Sequence, residues 1–579
     1  MPFRVVFGAG GEARSSMATL LARSVVGVAS ASAALGLSSP GVASPRAEPS
    51  ARHVPPAFLP SSAFSLAPSS FLLRASSQPK SSVAAAARAS SSPDPAWAPP
   101  LPLQARSKVK LGKNQAGSLD VVVESASTAS DESNPLHPDC PAARALRKRA
   151  SFQPDDSRYV PPPAWLQLKH VTVISRHGDR SPVSRKSQEM TLGEHQADHV
   201  ELYWDGFLPT EGDVQAWNAM CPIKASQPNK DQGRKPYGQL TLLGAQELVN
   251  VGASLRSRYI CSGRPNCALL PEHCDPTQVQ TLSTPFYRTQ QSAQNILLGL
   301  YPVGTRIAGL GFSETDVHVR PYSEDTLVPN IDGGCERFAK LLAQLSIEFA
   351  EPDSREYEGV QAAIIDALGM EEGKVRWALV RDILTCSILY GLHLHEKLEQ
   401  IHVVEGVFQF SGWQWGKIYG HGTDINRLAI GRFLWEVADA VDDCVKSEYC
   451  GPRLRIYTAH DSSLIPLLCA LNVYDNVWPP YSSTAIIEVG QAQSGDSYAR
   501  FIFNDRVTSP FPGKLEATEG GWVPLSQFSA LLRSSGFESK TAYQHACRLG
   551  SEDVPTPAPR VDALSDTLEG DSRPRTSKL

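Results

Sequence analysis

Beyond residue 100 this 579-residue sequence has no apolar run long enough to cross a bilayer as a helix, so the body of the chain reads as soluble. It has no excess of basic residues: the formal net charge is -5, and a nucleic-acid-binding domain would be strongly basic. No Asn-x-Ser/Thr sequon occurs, which weighs against a glycosylated secreted protein. None of the cysteines has the CxxC spacing of a structural zinc site. His393-Leu394-His395-Glu396 is no His-Glu-x-x-His zinc motif, because Glu399 stands where the second histidine is needed. A Gly-x-x-x-x-Gly-Lys phosphate loop is missing, and no cysteine is followed by arginine at the Cys-x5-Arg spacing of thiol phosphatases. Nucleotide-dependent kinases, cysteine phosphatases and zinc hydrolases are thereby set aside.

Residues 1–150 are dominated by Ser, Ala and Pro, and residues 551–579 return to Pro, Ser, Thr and charge. Both ends are expected to be disordered, flanking one large folded unit over about 165–550. In the first hundred residues the only acids are Glu12, Glu48 and Asp94, against seven arginines and Lys80. Such an acid-poor leader fits a mitochondrial or plastid transit peptide. A second reading starts at Met17, with Val25–Leu37 as a secretory apolar segment and Gly41-Val42-Ala43 as its cleavage site. A third takes stretches such as Ser81–Ser92 as plain low-complexity linker. The cysteine count of 11 is odd, so at least one thiol stays unpaired within the chain. Cys261, Cys267 and Cys274 form one cluster and Cys444 and Cys450 another, and either can hold a disulfide in an oxidising lumen.

Three strand-to-helix junctions carry the chemistry. Lys169–Ser175 alternates with β-branched residues and reads as a strand, followed by Arg176-His177-Gly178-Asp179-Arg180-Ser181-Pro182. Gly178 permits a tight turn, and Ser181-Pro182 reads as a helix start whose N–H groups suit an anion. Arg176 and Arg180 can both fork onto phosphate oxygens. Val279–Ser283 is a second strand, leading into a helix that carries Arg288 near its start and Ser292 on the same face. Leu454–Ala459 is a third, ending on His460-Asp461 before the helical apolar spacing of Leu464, Leu467, Leu468 and Leu471. Taken singly, the His-Asp pair reads as a helix cap and Arg288 as a surface residue; together with the first motif they become candidates for phosphate chemistry.

Those residues, in that order, resemble the histidine acid phosphatase family, which includes acid phosphatases and phytases, over roughly residues 165–550. Within it, His460–Leu468, Val477-Trp478-Pro479-Pro480 and a late Cys547 are most similar to the lysophosphatidic acid phosphatases. The resemblance implies His177 as nucleophile, forming a phosphohistidine, and Asp461 as proton donor to the leaving group. It implies Arg176, Arg180, Arg288 and His460 as phosphate-binding residues, with no metal and no cofactor. Leu282 departs from the pattern, standing where many relatives have an arginine before Ser-Thr. The physics agrees: guanidiniums can hold the equatorial oxygens of a phosphoryl transition state, and an imidazole among cations stays neutral in acid. The expected substrate is a small phosphomonoester, with lysophosphatidate favoured over inositol polyphosphates. A non-catalytic phosphate-binding relative is the remaining alternative.

The resemblance further implies an α/β fold, a three-layer α/β/α sandwich around a mixed, mostly parallel sheet. The amphipathic segment about 305–421, including Arg376–Ile383, is expected to form a mainly helical cap that carries specificity. Thr484–Val489 and Tyr498–Phe503 read as late antiparallel strands.

Overall fold

The computed structural model describes residues 108–113, 119–124, 141–183, 203–260, 269–302, 305, 316–350, 355–370, 375–390, 394–446, 451–511, 515 and 517–548. The transit, secretory and linker segments expected before residue 100, and the tail 551–579, lie outside these residues. Strands β1 (Lys108–Lys113) and β2 (Leu119–Glu124) pair antiparallel as a separate two-stranded sheet. Helix α1 (Pro141–Ala150) follows, so order begins well before the boundary that composition placed at 150. The local reason is in the sequence: proline at the first helical position, four alanines, and Arg147-Lys148-Arg149 against the negative end of the helix dipole. Leu146 and Ala150 are buried, and Arg147 Nε donates to the Ile388 carbonyl at 3.3 Å.

Nine strands form the central sheet: β3 (Leu166–Arg176), β4 (Ile223–Ala225), β5 (Val279–Ser283), β6 (Val317–Val319), β7 (Leu454–Ala459), β8 (Thr484–Ala492), β9 (Ser497–Phe503), β10 (Arg506–Thr508) and β11 (Val523–Pro524). Their order is β10-β9-β8-β3-β7-β5-β6-β4, with β11 on β9. From β3 to β4 every pairing is parallel, and from β3 to β10 every pairing is antiparallel. The sheet is mixed, as expected, and changes direction at β3. Side chains alternate between two cores. Ile174, Tyr457, Ala459, Ala485 and Ile487 face one, shared with helices α9 (Asp424–Lys446), α10 (Asp461–Ala470) and α11 (Leu525–Ser534). Val171, Val173, Leu454, Ile456 and Ile486 face the other, shared with α3 (Leu242–Tyr259) and α4 (Tyr287–Leu300). That period of two gives the three layers. Helix α2 (Glu211–Met220) begins with a capping box between Thr210 and Asp213.

The cap is helical: α5 (Glu336–Glu348), α6 (Arg355–Leu368), α7 (Trp377–Tyr390) and α8 (Ile401–Ile418). Val360, Ile364, Trp377, Leu384, Val404 and Phe410 build a core of their own that also takes in Leu146 of α1. The segment expected to start it at 305 first contributes β6 to the main sheet, so the helical part begins at 336. The described disulfide joins Cys335, just before α5, to Cys547, just after α12 (Lys540–Ala546). Neither cysteine cluster singled out in the sequence contains it, and Cys261, Cys267 and Cys450 lie outside the described residues.

Candidate active site

Parallel strands in register place their ends together. Arg176 stands opposite Ala459 across β3 and β7, and Ser283 opposite Thr458 across β5 and β7. The residues that follow each strand therefore meet at one edge of the sheet, where open α/β folds bind ligands. Arg176, His177, Arg180, Arg288 and His460 are all buried there, and the His177 and His460 rings lie 5.5 Å apart.

His177 Nδ1 is 2.8 Å from the carbonyl oxygen of Gly178. A carbonyl can only accept, so Nδ1 carries the proton and Nε2 keeps its lone pair. Burial, then the charges of Arg288, Arg176 and Arg180, hold the imidazole well below its usual range, so it stays neutral in acid. His460 is fixed in the opposite tautomer. Arg288 Nη2 donates to its Nδ1 at 3.3 Å, so Nε2 bears the proton and donates to Thr284 Oγ1 at 2.9 Å. Burial and then Arg288 keep this ring neutral too.

Each clamp arginine has a carboxylate. Arg176 meets Asp461 at 2.7 Å, Arg180 meets Asp382 at 2.7 Å, and Arg288 meets Asp231 at 3.7 Å. Arg176 also donates to the Pro479 carbonyl at 2.7 Å, and its guanidinium lies 4.3 Å from the Tyr481 ring centre. The main chain around Tyr481 is held from the end of α1, through Tyr481 N–H to Ala150 O at 2.8 Å and Phe152 N–H to Tyr481 O at 2.9 Å. Asp461 Oδ2 accepts from Trp478 Nε1 at 3.1 Å, and Oδ1 from its neighbour Ser462 N–H at 2.9 Å. Burial pushes its carboxyl up, but Arg176, Arg180 and Arg381 outweigh burial and hold it well below the carboxylate range.

Two local expectations fail. Gly178 serves close approach and not a left-handed turn: a Cβ there would sit 2.4 Å from the Gly244 carbonyl oxygen at the start of α3. No helix starts at Ser181-Pro182 within the residues described to 183. Arg180 bridges to Leu240, and Ser181 Oγ donates to Pro236 O at 2.5 Å, so the strand's continuation is engaged by this neighbouring loop.

Sequence reading missed the support beneath the loop. Asp179 N–H donates to Glu247 Oε2 at 3.0 Å, Ser482 Oγ donates to the same oxygen at 2.9 Å, and Ser151 Oγ bonds Oε1. Thr241 Oγ1 and Tyr390 OH both donate to Asp179 Oδ2. Burial pushes both carboxyls up, and the Asp179 charge pushes Glu247 further. A raised carboxyl favours its protonated form in the folded state, so its contribution to stability is lost as pH rises above the ordinary carboxylate range. Glu247→Gln is therefore expected to gain stability relative to the natural chain between pH 5 and pH 8, by up to about 1.4 kcal/mol per pH unit. Melting temperatures of both proteins across that range check it; a constant difference would show that Glu247 does not titrate there. Arg381 and Asp382 were also passed over as helix surface and interior. Their signal was two adjacent charges amid the apolar run Trp377–Ile388, all of it buried except Ala378.

Residues 167–362 match the family described as the histidine phosphatase superfamily, branch 2. The chain belongs to this family. It is 26% identical over 408 residues to lysosomal acid phosphatase of Rattus norvegicus, covering 69% of this chain and 84% of that protein. It is 27% identical over 375 residues to human prostatic acid phosphatase, covering 63% of this chain and 85% of that protein. Among solved structures, a Klebsiella phytase aligns over 64% of this chain and 96% of its own, at 16% identity and a TM-score of 0.43. A multiple inositol polyphosphate phosphatase of Bifidobacterium longum aligns over 68% and 99%, at 13% identity and a TM-score of 0.45. This histidine phosphatase is a phosphoric monoester hydrolase of the acid phosphatase kind.

Proposed function

We propose that the chain hydrolyses phosphomonoesters through a phosphohistidine on His177. The observation that carries this is the hydrogen bond from His177 Nδ1 to Gly178 O, which leaves Nε2 as a neutral nucleophile among three arginines. Arg176, Arg180 and Arg288, with His460, hold the phosphoryl oxygens and offset the charge that builds on them. Nε2 attacks phosphorus, the ester P–O bond breaks, and the departing oxygen takes a proton from Asp461. Water then attacks the phosphohistidine, returns a proton to Asp461, and releases inorganic phosphate and free His177.

In the resting site Asp461 is an ionised carboxylate bound to Arg176, which on its own would make a poor acid. A bound phosphate competes for Arg176 and neutralises the arginines that depress Asp461. The acid is thus armed by substrate, taking up a proton in exchange for the lost cation.

For the substrate, the finer reading is lysophosphatidate or a similar glycerol-based monoester. Phe286 borders the site, packing edge-on to His460 at 4.8 Å, and Trp478 borders it through Asp461, backed by Trp415 at 4.7 Å. These support an apolar wall for the leaving group. Trp413 belongs to the cap core instead, against Phe410 at 5.2 Å. The test is phosphate release from p-nitrophenyl phosphate, oleoyl-lysophosphatidate and inositol hexakisphosphate at pH 5. The expected result is turnover of the first two, with kcat/KM for the lipid at least about tenfold above that for the hexakisphosphate. A preference for the hexakisphosphate would overturn the lipid reading, and no phosphate release from any substrate would overturn the reaction.

A further inference from the structure

A fourth arginine enters this site from the cap. Arg381 on α7 is 4% exposed, lying between the rings of Trp478 at 4.4 Å and Phe408 at 4.9 Å. The three clamp arginines are each paired with a carboxylate, whereas Arg381 has no ion pair or hydrogen bond among the described residues, and its Nε is a buried donor without an acceptor. Its nearest acids are already engaged, Asp382 with Arg180 and Asp461 with Arg176. Burial and then Arg176 pull this guanidinium down to about 10, as expected of a cation short of compensating charge. A buried, unsatisfied guanidinium is expensive to keep, so an acceptor from outside the chain is the natural complement.

Its position says which part of a substrate that acceptor belongs to. The charges acting most strongly on His177 are those of Arg288, Arg176 and Arg180. Arg381 acts instead on Asp461, and it stacks on the same Trp478 whose Nε1 donates to Asp461. It therefore lies on the side from which the leaving alcohol is protonated, opposite the nucleophile.

We propose that Arg381 is a specificity residue that binds an oxygen acceptor on the alcohol portion of the substrate, a hydroxyl or a carboxylate close to the ester carbon. The favoured class is then monoesters of polyols and hydroxy acids over those of plain alcohols. The aromatic sandwich holds the guanidinium plane, and a charge-assisted hydrogen bond orients the ester oxygen towards Asp461. This inference rests on the phosphatase reading above.

The test uses three matched three-carbon substrates: propyl phosphate with no acceptor, glycerol 3-phosphate with hydroxyls, and 3-phosphoglycerate with a carboxylate. Arg381→Met keeps an apolar side chain between the rings and removes the charge; Arg381→Lys restores a cation without the fork. Relative to the natural chain, Arg381→Met is expected to lose kcat/KM on all three, by roughly tenfold more on at least one acceptor-bearing substrate than on propyl phosphate. Arg381→Lys should recover part of that difference. Which substrate suffers most tells hydroxyl from carboxylate recognition. Equal proportional losses on all three in Arg381→Met, in a protein with unchanged circular dichroism, would overturn the inference while leaving the reaction intact. If the methionine variant does not fold, equal losses in Arg381→Lys overturn it on the same grounds. Failure of the natural chain to release phosphate from any of the three counts against the phosphatase reading itself.

Discussion

His177→Ala will abolish turnover, by about 10⁴-fold or more, with circular dichroism unchanged. The ring touches the chain through one hydrogen bond to Gly178 and an edge contact with His460, so its loss removes little that holds the loop. The loop is fixed from beneath, by Glu247 on Asp179 N–H and by Gly178 N–H donating to Ser292 Oγ at 3.2 Å. What the substitution removes is the lone pair of Nε2. A second readout separates the nucleophile from a merely structural histidine. Substrate labelled at phosphorus, quenched in alkali during turnover, should leave an acid-labile phosphoryl label on the natural chain and none on the variant. Substantial activity in the folded variant, or label retained on it, would remove His177 from the mechanism.

The second large effect separates substrates. Asp461→Asn keeps an oxygen to accept from Arg176 and Trp478 but has no proton to give. Nitrophenolate departs without protonation, whereas the alkoxide of glycerol does not. Hydrolysis of glycerol 3-phosphate is expected to fall by about 10²–10⁴-fold, and that of p-nitrophenyl phosphate far less. Both are measured on one preparation. Equal losses would make Asp461 a helix-capping residue whose removal only disturbs the loop.

What was legible in the sequence follows from how local each cause is. Strands β3, β5 and β7 could be read almost to the residue because central strands are buried on both faces and are rich in β-branched residues. Six site residues could be read because each lies within a few positions of a strand end. The Ser181-Pro182 helix start was a sound local inference overruled from a distance, by the contacts of Arg180 and Ser181 with residues 236–240. Helix α1 was hidden by its alanines, which look alike in a leader and in a helix until Leu146 meets the cap. Arg381, Asp382, Asp231 and Glu247 escaped because each acts through a partner far along the chain, such as Arg180 for Asp382 and Asp179 for Glu247. A buried charge inside an apolar helix is the one trace such residues leave, and Arg381-Asp382 leaves it twice.

The place of β3 in the sheet has a consequence for how the protein is made. Arg176, His177 and Arg288 leave the ribosome early, yet both neighbours of β3 come from residues 454–492, with β7 on one side and β8 on the other. Until those strands are synthesised, β3 has two open edges and the three arginines have no Asp461 or Tyr481 beside them. Nascent chains therefore carry an exposed, strongly apolar strand through most of translation, a state prone to wrong pairing. Contacts of such sequence separation also make folding slow, because loop closure precedes the gain from pairing. The catalytic centre is thus among the last parts to be completed, and a chain that stops short of residue 461 holds the nucleophile without the acid that its reaction needs.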